Sequence, residues 1–285
     1  MKTKELAANA KKTSRILAMA NAAQKNRALL AMAEALERRS SEILEENARD
    51  IADGRKNGLS PALIDRLLLD EARLRGIAGS LRDVAALPDP VGEVVQGWRT
   101  PEGLEIQKVR VPFGAILVVY EARPNVTVDA AALCLKTGNA VILRGGSDSY
   151  RSNRILAEVI SGAAIEADLP ADCIQFVEQK DREVLVNLLQ YRDQIDLVIP
   201  RGGEALKEFL LEHSKIPVIY AAGGNCHVYV DKSADLKQAL AITINAKCQR
   251  PGVCNAAETL LVHEAVAAEF IPLVVDALIE RKVKL

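Results

Sequence analysis

The stretch Ala115-Ile-Leu-Val-Val-Tyr120, followed by Glu121-Ala-Arg-Pro-Asn125 and later by Ala140-Val-Ile-Leu143, decides the fold. Residues 115–119 form an unbroken apolar run rich in β-branched side chains, the pattern of a strand covered on both faces. Residues 126–135 read as a helix and residues 140–143 as a second buried-type strand. The rhythm then repeats, with helices at 150–167, 181–189 and 204–211 and strands at 174–177 and 195–199; Val218 and Ile219 begin another short strand. Strands alternating with helices predict an α/β fold with a Rossmann-type parallel sheet.

Toward the C-terminus, residues 226–230 read as a strand, Asp231 to Ser233 as the cap of a helix ending near Asn245, residues 259–262 as a strand and 264–280 as a helix. Toward the N-terminus, residues 91–98 and 104–111 form a hairpin around Thr100-Pro-Glu-Gly103, either a surface hairpin or an arm for another subunit. Residues up to about Leu87 are helical, with Leu29, Leu30, Met32, Ala33 and Leu36 on one face. Ser60-Pro61 starts one helix, and Gly54 and Gly58 punctuate the helix before it.

The chain has 285 residues, a net charge of −1, 4% aromatics and five cysteines. That charge excludes non-specific nucleic-acid binding, which needs a basic excess, and so few aromatics leave no base-stacking platform. The cysteines and the scattered His213, His227 and His263 lack zinc-site spacing, so no metal is expected; free thiols suit a reducing cytosol. The first residues lack the apolar segment of a signal peptide, and the longest apolar run, residues 115–120, is too short to span a bilayer. A soluble cytoplasmic protein is expected.

Ligands of parallel sheets gather at the carboxyl ends of the strands. There the sequence places Glu121 to Asn125, then Arg144-Gly-Gly-Ser147, then Arg201-Gly-Gly203, which opens a helix. Glycines at a helix N-terminus leave N–H groups to cradle a phosphate, so two Arg-Gly-Gly turns suggest an anionic cofactor, although no Gly-x-Gly-x-x-Gly occurs. The second chemical stretch is Asn245-Ala-Lys-Cys-Gln-Arg-Pro-Gly-Val-Cys-Asn255. Pro251 and Gly252 force a turn that presents Cys254 beside Lys247 and Arg250, surroundings that favour a nucleophilic thiolate. The alternative is a small buried hydrophobe.

These motifs, together with Val111-Pro-Phe-Gly-Ala115, Lys136-Thr-Gly-Asn139 and Cys226-His-Val-Tyr-Val-Asp231, resemble the aldehyde dehydrogenase superfamily over the whole chain, and within it the branch that reduces L-glutamate 5-phosphate in proline biosynthesis. The resemblance implies NADPH-dependent formation of L-glutamate 5-semialdehyde and phosphate through a thioester on Cys254, with Asn125 holding the oxyanion. It implies cofactor contacts at Arg144, Gly145, Gly146, Ser147, Arg201, Gly202 and Gly203, with NADP favoured over NAD by the cation at Arg144. Arg123, Arg250 and Lys247 are the expected substrate-anion contacts, and Cys248 is structural or a disulfide partner of Cys254. Asn125 also fits a helix N-cap. Ala221 and Ala222 stand where hydrolysing members carry a glutamate base.

The implied domains are 1–90, the N-terminal helical part of the cofactor-binding domain; 91–112, an oligomerisation hairpin; 113–222, the NADP-binding α/β domain; and 223–285, a catalytic domain left incomplete. If the chain ends at Leu285, Val262, Phe270, Leu273 and Leu278 are expected to expose apolar surface. A homo-oligomer is expected. Competing readings are a generic aldehyde dehydrogenase and a non-catalytic scaffold fragment engaging glutamate 5-kinase.

Overall fold

Five helices open the chain: α1 (Thr3–Leu17), α2 (Ala22–Arg38), α3 (Ser40–Lys56), α4 (Pro61–Leu67) and α5 (Glu71–Ala86). The structure, a computed structural model, describes residues 3–121, 123–220 and 224–285. Short polar side chains fix three of the helix starts. The Asn21 side chain accepts from the Gln24 N–H while the Gln24 side chain accepts from the Asn21 N–H, a closed capping box. Ser60 caps α4 with Pro61 at the first helical position, as the sequence predicts, and Asp70 caps α5. Leu29, Met32, Ala33 and Leu36 are buried, but Leu30 is exposed. It follows Leu29 by about 100° around the helix and so faces outward. Gly54 does not interrupt α3: it is buried within it, where an added Cβ would stand 3.0 Å from the Leu59 side chain. Gly58, at φ +77°, is where the backbone takes the left-handed turn.

The hairpin pairs β1 (Val94–Arg99) with β2 (Glu105–Val109), antiparallel and exposed along both strands. Pairing is shorter than the sequence suggests, with an irregularity between Val94 and Gln96. Six βα elements follow: β3 (Ala115–Tyr120), α6 (Asn125–Lys136), β4 (Ala140–Arg144), α7 (Tyr150–Glu166), β5 (Ile174–Phe176) and α8 (Arg182–Leu188). The unit is completed by β6 (Leu197–Arg201) and α9 (Glu204–His213). The four strands lie in the order β5-β4-β3-β6, all parallel, and every residue of β3 is buried. Val218 reaches β6 only through an isolated bridge to Val198, since Pro217 offers a carbonyl but no N–H.

Polar contacts tie the helices to this sheet and to one another. The Asp196 carboxylate accepts from the Ala115 N–H at 2.8 Å and from Lys11 Nζ at 2.6 Å. It fills the space beside Gly114, at φ +125°, where a Cβ would clash with it. Lys136 is buried and donates to Asn26 Oδ1 and the Ala85 carbonyl, joining α6 to α2 and α5. Buried Lys25 pairs with Asp89 at 2.6 Å.

The chain divides into two units, Met1–Tyr220 and Ala221–Leu285. The second holds β7 (His227–Val230), α10 (Leu236–Cys248), β8 (Thr259–Val262) and α11 (Glu264–Glu280), with β7 and β8 parallel. Its core is Val230, Ala239, Phe270, Val274 and Leu278. Phe270 and Leu278 are therefore buried, with α11 packed against α10 and β8; Leu273 is exposed, as expected. Asp235, not Asp231 to Ser233, caps α10, accepting from the N–H groups of Lys237 and Gln238. Asp231 instead binds Ser233 and the Tyr229 hydroxyl. The helix runs past Asn245 to Cys248, because nothing before Pro251 stops it.

Candidate active site

At the carboxyl edge of the four-stranded sheet, β3 and β6 are neighbours from which the chain departs in opposite directions across the sheet, the switch point where α/β folds open a crevice. The ends of both strands are joined: the Glu121 N–H donates to the Arg201 carbonyl at 3.1 Å. The Glu121 carboxylate then accepts from the Gly203 N–H, also at 3.1 Å, at the start of α9. Gly202 has no room for a Cβ because Glu121 fills that space. The Gly-Gly turn was expected to leave its N–H groups open; the chain's own carboxylate holds one of them. Glu121 was not singled out in the sequence, although it follows β3 directly.

The other glycine turn also has an internal reason. A Cβ on Gly145 would collide with the Asn153 amide and meet Tyr120 at 3.0 Å. Arg144 is half-buried, and its guanidinium donates to the carbonyls of Gly145 at 3.0 Å and Lys180 at 2.9 Å. Burial holds its pKa below the ordinary guanidinium value. Gly146 precedes a short 3₁₀ turn at Ser147–Ser149, with Ser147 exposed. Lys180, whose ammonium lies 4.2 Å from the centroid of the Tyr150 ring, adds a second cation here. Its signal in the sequence was its place after β5, the one strand end passed over.

Asn125 opens α6 but is not its cap: Pro124 holds that position, and the Asn125 amide donates to Asp129 Oδ2 at 2.8 Å. Burial raises the Asp129 pKa, opposed by this hydrogen bond and by the charge of Arg201. Arg123, half-buried, donates its N–H to the Glu121 carbonyl at 2.8 Å.

In the second unit, residues 249–256 leave α10 through successive turns, closed by Val253 N–H to the Arg250 carbonyl at 3.3 Å and Ala256 N–H to the Val253 carbonyl at 3.2 Å. Cys254 and Arg250 are exposed there. The turn is also tied from the strand side, where the Cys226 thiol lies 3.5 Å from the Cys254 carbonyl. Cys248 is half-buried and packs against the core of this unit, which suits the structural role expected of it. Lys247 lines an apolar cavity of about 440 Å³ with Val228, Leu260, Val274 and Leu278, which neither Arg250 nor Cys254 lines. Ala221 and Ala222 lie outside the described residues.

These residues suit a nucleotide cofactor. Arg144, Lys180 and exposed Ser147 share neighbouring strand ends, while at α9 the Glu121 carboxylate holds the N–H that a phosphate oxygen would need and would have to give it up. Residues 1–284 match the aldehyde dehydrogenase family, and the chain belongs to it. A crystal structure of an acetylating aldehyde dehydrogenase from Geobacillus thermoglucosidasius, 16% identical, shares the fold with a TM-score of 0.70 over 96% of this chain and 58% of that one.

Nearer relatives are named gamma-glutamyl phosphate reductase. That of Moorella thermoacetica is 57% identical over 274 residues, 96% of this chain and 66% of the relative. That of Syntrophomonas wolfei is 50% identical over 97% of this chain and 66% of the relative. The crystal structure of the Thermotoga maritima protein of that name is 43% identical, with a TM-score of 0.92 over 99% of this chain and 68% of that one. The chain thus spans 66% of the length of the first two.

Proposed function

We propose that this chain carries the cofactor-binding and nucleophile-bearing part of an NADPH-dependent reductase that converts L-glutamate 5-phosphate to L-glutamate 5-semialdehyde and phosphate. The observation that carries this reading is the exposed thiol of Cys254, on a turn between α10 and β8, in a chain 57% identical to a gamma-glutamyl phosphate reductase.

In this reading the Cys254 thiolate attacks the acyl carbon of the substrate. The carbonyl electrons move onto oxygen, then return as the carbon–oxygen bond to phosphate breaks, leaving a thioester on Cys254. The Asn125 amide donates a hydrogen bond to the transient oxyanion, charge that exists only around the transition state. Arg123 and Arg250 neutralise the phosphate, and guanidinium groups suit its paired oxygens. The placement of Lys247 along an apolar cavity gives it less support in that role. NADPH, when bound, supplies the hydride that takes the acyl group to the aldehyde level. Arg144, Lys180 and Ser147 would hold its adenosine end, cations there suiting a 2′-phosphate, while Gly202 and Gly203 would flank its pyrophosphate once the Glu121 carboxylate releases the Gly203 N–H. Ala221 and Ala222 provide no base to activate water against the thioester.

The exposed apolar residues of the hairpin, Trp98 and Ile106 among them, fit an oligomerisation arm. Five unpaired thiols fit a cytoplasmic setting.

The test is NADPH oxidation dependent on L-glutamate 5-phosphate. Cys254→Ala is expected to lower the rate by about 10³-fold or more, while NADPH binding, read by its fluorescence, stays unchanged. Turnover of simple aldehydes with none of the acyl phosphate would overturn the reading.

A further inference from the structure

We infer that Asp129 is the specificity-determining carboxylate that receives the α-ammonium group of the substrate. The inference rests on the reading of Asn125 as the oxyanion donor and goes beyond it, to the opposite end of the substrate.

Asp129 stands one helical turn beyond Asn125 on the same face of α6, and its Oδ2 accepts from the Asn125 amide at 2.8 Å. The carboxylate is half-buried, and among the described residues no cation lies within 4.0 Å of it. Buried carboxylates ordinarily have a charged partner or several donors, because desolvation disfavours the ionised form. Among the described residues Asp129 has one neutral donor, the Asn125 amide, and burial raises its pKa. Arg201 contributes only a weaker, longer-range attraction.

The position is also unfavourable for catalysis unless a cation completes it. An oxyanion held by the Asn125 amide would stand about 5 Å from the Asp129 carboxylate, and like charges at that distance oppose each other. A substrate that carries its own positive charge removes this conflict. L-glutamate 5-phosphate has an ammonium group four bonds from its acyl carbon, about 5 Å away in an extended chain. The 2.8 Å between the Asn125 amide and Asp129, with a hydrogen bond of about 2.9 Å at each end, spans such a molecule without strain. One end of the pair then meets the carbonyl oxygen and the other the ammonium. An acyl phosphate without the amino group would leave Asp129 uncompensated, so the chain would select amino-acid acyl phosphates over simple ones.

The test uses two stable β-ketophosphonates, in which a methylene replaces the bridging oxygen of the acyl phosphate: 2-amino-5-oxo-6-phosphonohexanoate and the same molecule without its amino group. Calorimetry on the unmodified chain is expected to favour the amino ligand by about 30-fold. Asp129→Asn keeps an acceptor for the Asn125 amide and removes only the charge. It is expected to reduce that preference to within about 3-fold while leaving the affinity for the amino-free ligand within about 3-fold of the unmodified chain. Equal affinities in the unmodified chain, or equal weakening of both ligands by Asp129→Asn, would overturn the inference and leave the reductase reading standing. Binding of neither ligand by the unmodified chain would overturn the reductase reading, and this inference with it.

Discussion

The two parallel sheets of this molecule differ in how they are held. In the first unit β3 is buried along its whole length, flanked by β4 and β6 and covered by helices. In the second, among the described residues, β7 and β8 pair with each other alone, both strands are partly exposed, and the core cluster is five buried residues. The reactive-thiol candidate sits on a turn that leads into the second, thinly packed sheet, and the proposed nucleotide crevice lies on the first. Buried apolar area is the main source of stability, so the two units are expected to open at very different free energies.

Thiol chemistry gives the largest contrast. Cys134 and Cys173 are buried in the first unit and Cys254 is exposed in the second, so alkylation of the native protein near pH 8 is expected to label Cys254 about 10³-fold faster than either. Comparable rates, read by peptide mass mapping, would erase the distinction. Hydrogen exchange is the next measure: amides of β3 and β4 are expected to exchange about 10²-fold or more slowly than those of β7 and β8. Substitution sharpens the same point. Leu117→Ala, in fully buried β3, is expected to cost about 3 kcal/mol of unfolding free energy, against about 1 kcal/mol for Leu260→Ala in partly exposed β8. Urea titration followed separately in each unit checks both values.

The smallest effect is in pH. Burial pushes the Cys134 and Cys173 thiols up to about 12 from an ordinary value near 9. The folded state holds these protons more tightly, so their contribution is complete below pH 9 and is lost as the pH rises from 9 towards 12. By pH 10 each is expected to have given up about 1 kcal/mol. Lys136 works in the opposite sense: burial lowers its pKa, so stability rises with pH between its folded value and that of a free lysine. A Cys134→Ala variant that keeps the full alkaline loss of the first unit would contradict the assignment to the thiols.

Most strands and helices were legible because their signals are local. Apolar runs such as residues 115–119 cannot lie on a surface, and Ser60-Pro61 announces a helix by the chemistry of its own backbone. What escaped was pairwise. The sequence marked Gly202 and Gly203 as a phosphate cradle, but not that Glu121, 82 residues away, would occupy it. Nor did the sequence show that the Cys226 thiol, 28 residues away, would lie against the Cys254 carbonyl. Asp129 closes the stretch from Tyr120 that carries the family resemblance, but the sequence assigns it no role, because the burial of a helical carboxylate cannot be read from its own residue type.

The carboxylate of Asp196 has a practical corollary for dissecting this protein. It clasps Lys11 and the start of β3 together, and further along α1 the Gln175 amide reaches the Leu6 carbonyl. The opening helix is therefore a working part of the four-stranded sheet, and a fragment begun after α5 would inherit a severed ion pair and a raw apolar face. Shortened versions intended to bind nucleotide should keep the first seventeen residues.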